Sequence, residues 1–286
     1  MIGVSPAYVL SSYGPSFGPY DSLAGLPLLA ELGFESFQAE VFKEELLEAW
    51  TPLSTQALKN KAESLGLCCG VFVAHFLGSD FATAEALNGK LDEEKVRKAL
   101  QLGATLCANG IIAVPLPPLD AAHSTKPRDA LLEKLGRLSE MTSAAGLRLA
   151  LELMPGNALG GSRDFLRLCE QPGFADLGIV FDTGHFWAMG EAPQGLPALL
   201  GRRTVATHLC DNDGIRNLSL CPGDGTIAFR ETLSALKACG YNGSLDVEIV
   251  CPKEAVEREY GKAMRIMRGL TADNARLPGT KALLHG

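Results

Sequence analysis

The chain has 286 residues, 47% of them hydrophobic and 21% charged, which is enough apolar material for a large core in one globular unit. A net charge of −7 with no Lys/Arg run argues against a phosphate-backbone binder, so no nucleic-acid partner is expected. No apolar run approaches the ~20 residues of a membrane span, and MIGVSPAYVLSSYG lacks a charged leader region, so a cytoplasmic protein without a membrane partner is expected.

Taken in chain order, short apolar runs alternate with longer stretches of helical period. IGVSPA (2–7) predicts the first strand, and SSYGPSFGPYD (11–21) an irregular loop that could cover one end of the fold. ESFQAEV (35–41) is the second strand, followed by the helix STQALKNKAESLG. CCGVFVAH (68–75) and GIIAVPL (110–116) flank the helix DEEKVRKALQLGATLCANG. The helix DALLEKLGRLSEMTSAAG then leads to RLALELM (148–154), GIVFDT (178–183) and TVATHL (204–209). FRETLSALKACG precedes the last strand, SLDVEIV (244–250). Several of these helices end in Gly, which tolerates the left-handed conformation that closes a helix.

Eight units in 286 residues leave about 36 residues each, the size of a βαβ building block. The runs lack the polar alternation of an open antiparallel sheet, so both faces of the strands are expected to be buried. An open doubly wound sheet would usually carry G-x-G-x-x-G after its first strand, and GVSPAYVLSSYG does not match it. The expectation is an α/β fold, a (β/α)8 TIM barrel forming a single domain over 1–286. The eight cysteines (68, 69, 107, 169, 210, 221, 239 and 251) form no C-x-x-C pair and suit a reducing compartment.

A barrel collects its chemistry at the carboxyl ends of its strands. Glu152 in LALELMPG, Asp182 in IVFDTGH, His208 in VATHLCD and Glu248 in LDVEIVCP interrupt four consecutive strands near those ends. A lone carboxylate in such a run is costly unless paired or bound to metal, and three converging acids would repel one another. One divalent cation held by all four resolves the conflict. Three carboxylates and an imidazole suit Mn, Mg or Co better than a structural thiolate zinc site, with Zn also admissible.

ELMPG, FDTGHFWAMGE, THLCDN, PGDGTI and LDVEI, in this order, resemble the xylose isomerase-like TIM-barrel superfamily, and within it the ketose 3-epimerase and hydroxypyruvate isomerase branches. The resemblance is specific mainly from residue 148 to 250. It implies a metal on Glu152, Asp182, His208 and Glu248, with the two glutamates doubling as acid/base catalysts. It further implies that His185 and Arg216 contact substrate and that Asp224 supports the ligands from behind. Glu40 and His75, near the ends of the second and third strands, are added as substrate-binding candidates. Phe186 and Trp187 suggest a pocket wall, or simple packing. Cys210, two residues beyond His208, could approach the metal, but a hard-ligand site does not call for a thiolate, and His123 and His285 have no supporting context.

The expected function is a metal-dependent isomerase or epimerase of a sugar or similar hydroxy-carbonyl compound in carbohydrate metabolism, moving a proton through an ene-diolate. Loss of a β-hydroxyl instead would make it a dehydratase of a polyhydroxy or keto-acid substrate. An AP endonuclease-like repair hydrolase would need more histidines. The stretch beginning Asp224-Gly225-Thr226 and the fourth strand GIIAVPLP supply none. MPGNALGGS carries Asn157 where the 3-epimerase branch often has an acid, which argues against a free ketose as substrate and leaves isomerase and dehydratase readings open. No P-loop or basic cluster points to a phosphorylated substrate; Arg163, at a Gly-rich loop and helix start, is a candidate contact for one, and capping by Ser162 explains that loop equally well. A homodimer or homotetramer is expected from the resemblance.

Overall fold

The computed structural model describes residues 1–120 and 127–276, so His123 and His285 lie outside the described residues. Eight strands alternate with helices: β1 Ile2–Val4, β2 Ser36–Val41, β3 Cys68–Ala74, β4 Ile111–Leu116, β5 Arg148–Leu153, β6 Gly178–Asp182, β7 Thr204–His208 and β8 Leu245–Val247. All pair in parallel in sequence order, and β8 lies beside β1. The last seam closes just past β7, where the Leu209 N–H donates to the Asp246 carbonyl at 2.8 Å and the Glu248 N–H to the Leu209 carbonyl at 3.1 Å. The fold is therefore a (β/α)8 barrel.

The expected helices form at Pro52–Ser64, Glu93–Leu106, Pro127–Ala144 and Phe229–Ala238. Thr51 and Asp92 cap the first two by accepting backbone N–H bonds from Ser54 and from Glu94 and Lys95. The start of the chain departs from expectation. β1 stops at Val4 because Pro6 begins a helix, Ala7–Tyr13, so the predicted 11–21 loop starts inside that helix. A second helix, Pro19–Leu32, takes up its end. The Ser11 hydroxyl donates to the Ile249 carbonyl at 3.2 Å and accepts from the Cys251 N–H at 3.1 Å, tying the first helix to the segment after β8.

Strand alternation decides what enters the barrel. Val71, Val73, Ile111, Ala113, Ala150, Val180 and Ala206 form a small apolar cluster apart from the main core between sheet and helices. Two residues beyond Ala150, Val180 and Ala206, on the same faces, stand Glu152, Asp182 and His208. The interior contributed by β2 and β8 is polar instead, with Ser36, Gln38, Glu40, Ser244 and Asp246 all buried. The interior is thus lined mainly by apolar side chains under β3–β7 and by polar ones under β2 and β8.

Candidate active site

Asp182 and His208 are the last residues of β6 and β7, Glu152 is the penultimate residue of β5, and Glu248 directly follows β8. One ligand atom from each of the four lies within 4.8 Å of those of the others. His208 Nδ1 is the hub, 2.7 Å from Glu152 Oε1, 3.1 Å from Glu248 Oε2 and 3.9 Å from Asp182 Oδ2. Asp182 Oδ1 accepts the His185 N–H at 2.7 Å and so caps the helix Thr183–Ala188, while Oδ2 is buried with no hydrogen-bond partner. The capping role and the site role of Asp182 are therefore divided between its two oxygens.

Two carboxylates at this spacing repel by roughly 3 kcal/mol at an effective dielectric near 20, and this site holds three. Without a cation the imidazole bears the compensation. Burial favours the neutral ring, but the charges of Glu152 and Glu248 overcome it and push His208 up to about 10. Burial would raise Glu152, yet the His208 charge and hydrogen bond, with His185 and His75, hold it at about 2. Burial pushes Glu248 up to about 7; His208 opposes this, while Asp182 and Glu152 reinforce it. Asp182 is also raised by burial.

A divalent cation fits these residues. The orphaned Asp182 Oδ2 faces the hub, the donors are hard, and a 2+ charge relieves the repulsion that His208 offsets only by holding a proton. Cys210 adds no thiolate. Its Sγ lies 3.7 Å from Asp182 Oδ1 as a neutral donor, because burial holds the thiol well above its usual range.

His185 adjoins the cluster, with Nε2 at 3.7 Å from both Glu152 Oε1 and Asp182 Oδ2 and with Nδ1 buried and unpartnered. On the opposite wall, His75 Nδ1 lies 3.2 Å from Glu40 Oε1, and its ring packs on Phe42 at 4.4 Å. Burial raises the Glu40 carboxyl despite His75, whereas Glu40 raises His75 against burial. The His75 side chain is 35% exposed, so it is the most open of these groups.

Arg216 and Asp224 are not brought into the cluster. The Arg216 side chain is 70% exposed, and Asp213 accepts from its Nε and Nη2 at 3.1 and 2.8 Å. Asp224 turns to Lys262 and accepts from its Nζ at 2.6 Å. The buried Asp211 organises that loop instead, accepting N–H bonds from Asn212, Gly223 and Ile227. Phe186 packs against Phe181, and Trp187 Nε1 donates to Thr226 Oγ1 at 2.9 Å.

Asn157 is consumed by its own loop. Its Nδ2 donates to the Met154 and Gly160 carbonyls, and its Oδ1 accepts from the Leu159 and Gly160 N–H groups. At the helix Ser162–Cys169, the candidate phosphate position beside Arg163 is already filled. Glu191 accepts from the Ser162 N–H at 2.9 Å and from its hydroxyl. That reach of 29 residues has no signal in the local sequence. Gln38, whose Oε1 lies 3.0 Å from His208 Nε2, was also missed. The signal was its position two residues before Glu40, on the same face of β2.

Among known proteins, the chain is 28% identical over 157 residues to an inosose isomerase of Bacillus velezensis, covering 52% of this chain and 56% of that one. It is 24% identical over 222 residues to an inosose dehydratase of Geobacillus thermodenitrificans, covering 69% and 74%. These similarities span little more than half the length of the first curated relatives. A solved IOLI protein with a bound zinc atom shares the fold at a TM-score of 0.68 and 18% identity, over 96% of this chain and 97% of that one. The relatives named for an activity are enzymes, and no helix among the described residues is long and apolar enough to cross a membrane. A family model described as xylose isomerase-like TIM barrel matches residues 26–270, and the chain belongs to that family.

Proposed function

We propose that this chain is a divalent-metal-dependent isomerase or epimerase of a small sugar-like hydroxy-carbonyl compound. The observation that carries this reading is the convergence of four ligand atoms within 4.8 Å, one of them a buried carboxylate oxygen with no hydrogen-bond partner. Glu152, Asp182, His208 and Glu248 would hold the ion; Mn, Mg and Co match the donor set, and Zn is admissible. The bound ion would act as a Lewis acid for a carbonyl oxygen and the neighbouring hydroxyl.

The proton chemistry belongs to the two glutamates at the ends of the four-strand arc. Glu152 and Glu248 both reach the cluster, from β5 and from just past β8, so the two can serve a substrate held between them. One of the pair takes the proton from the hydroxyl-bearing carbon beside the carbonyl, and the other returns one. Return to the opposite face of the same carbon is epimerisation, and return to the neighbouring carbon is isomerisation. His185 orients a substrate oxygen from beside the cluster, and Glu40 and His75 do so from the opposite wall. Arg216 joins them once it releases Asp213. Asp224 acts on the site only through the loop it shares with Asp211.

Dehydration is the second reading. The Glu40–His75 pair is a further proton-holding group, as departure of a β-hydroxyl requires, and the dehydratase relative supports the idea. Incubating metal-loaded enzyme with ketoses, aldoses and hydroxy-keto acids in D2O separates the cases. Deuterium entering carbon without loss of water is expected, whereas a new enone or diketone absorbance would move the assignment to dehydratase. Failure to take up any metal on titration would overturn both.

A further inference from the structure

The polar half of the barrel interior lies directly behind His208. Gln38 Nε2 donates to Asp246 Oδ2 at 2.8 Å, while Gln38 Oε1 lies 3.0 Å from His208 Nε2. Asp246 is held in turn by the Ser244 hydroxyl at 2.6 Å and the Ser36 hydroxyl at 3.4 Å, and its own N–H donates to Thr207 Oγ1 at 2.9 Å. All of these residues are buried, and no Lys or Arg among the described residues acts on Asp246.

An amide with a carboxylate at one end has one favourable orientation: its NH2 faces the acid and its oxygen faces away. That oxygen can only accept, so the ring nitrogen opposite it must carry the proton. The other nitrogen, Nδ1, is then the one turned toward Glu152 and Glu248. A buried acid with no Lys or Arg beside it is costly, and orienting Gln38 is a reason for Asp246 to be here.

We propose that Gln38 and Asp246 are positioning residues that hold His208 with Nε2 protonated, so that Nδ1 is the atom offered to the metal. This rests on the metal reading above. Neither residue touches reacting atoms; both act through the ring of His208.

The test uses the full chain with 15N-labelled histidine, in wild type, Gln38→Met and Gln38→Glu. Methionine is close in size but accepts nothing from Nε2–H, whereas glutamate keeps an acceptor there when one proton, shared with Asp246, replaces the lost NH2 contact. In metal-free wild type, the His208 Nε2–H is expected to exchange slowly with solvent; with 113Cd bound, coupling should appear at Nδ1. Gln38→Met should lose the slow exchange and bind Cd²⁺ or Zn²⁺ about 10- to 100-fold more weakly by calorimetry. Gln38→Glu should restore both, with circular dichroism confirming the fold of each variant. A Gln38→Met protein with wild-type exchange and affinity overturns the proposal, as does cadmium coupling to Nε2 in wild type. Wild type that binds neither metal but still shows Gln38-dependent protection supports the orienting role and overturns the metal reading.

Discussion

Glu152 Oε1 lies 2.7 Å from His208 Nδ1, so the position facing the cation site is occupied by a proton when no metal is bound. His208 holds this proton up to about pH 10, and Glu248 holds one up to about 7. Metal and proton compete, so affinity should rise with pH. The logarithm of the apparent binding constant should climb by about one per pH unit between 7 and 10, and by about two below 7. Calorimetry in buffers of different ionisation enthalpy would count the protons released; an affinity independent of pH would sink this account. Metal-free stability moves the opposite way. The folded His208 value lies above the unfolded value of 6.5, so its contribution is complete below 6.5 and lost by about 10.

Replacing Glu152 or Glu248 with Gln keeps size and fold but removes the proton carrier. Each variant should lose about 10²–10⁴-fold in kcat. Because each glutamate is also a proposed ligand, rates should be measured at metal concentrations that calorimetry shows to be saturating. Wild-type turnover in either variant would remove that residue from the mechanism.

How far the site was legible in the sequence depended on distance along the chain. Glu152, Asp182 and His208 each stand two residues beyond a small apolar residue on an inward face, a pattern contained within single strands. Glu248 lacks that small apolar neighbour, since the residue two before it is the buried Asp246, and it was visible instead as an acid interrupting the apolar end of LDVEIV, even though β8 ends one residue before it. The role of Gln38 was not visible, because it depends on β2 facing β8 across β1. Residues 11–13, the end of the helix Ala7–Tyr13, read as the start of a loop because the Ser, Gly and Pro that follow resemble turn residues, yet Pro6 starts the helix. Arg216 could be picked out by resemblance, but its pairing with Asp213 could not.

That pairing makes Arg216 testable. An exposed ion pair contributes about 0–1 kcal/mol, so Arg216→Ala should leave Tm nearly unchanged. If the guanidinium reaches substrate after leaving Asp213, KM should rise with little change in kcat, the signature of uniform binding. An unchanged KM would remove Arg216 from the substrate site.

Glu191 decides whether the helix at Ser162 can take a phosphate. Its carboxylate already accepts the Ser162 N–H and hydroxyl, so inorganic phosphate should neither stabilise the wild-type protein nor inhibit it competitively. Glu191→Ala should lose a cap worth about 1 kcal/mol, and added phosphate should recover part of the loss. Phosphate stabilisation of the wild type, traced by calorimetry to this helix, would reopen a phosphorylated substrate.

Gly3 offers a test of the polar interior that alters none of its polar groups. A Cβ there would run into Asp246 Oδ1, the Ser36 hydroxyl and the Ser244 hydroxyl, which meet over the bare backbone of β1. Gly3→Ala must push that cluster aside, at a cost of about 1–3 kcal/mol for overpacking. Because Asp246 holds Gln38, and Gln38 faces His208, the displacement should also weaken metal binding, although Gly3 touches no proposed ligand. Denaturant unfolding and metal titration of this variant measure the two effects separately. Lost stability with unchanged metal affinity would show that the cluster only packs the barrel floor.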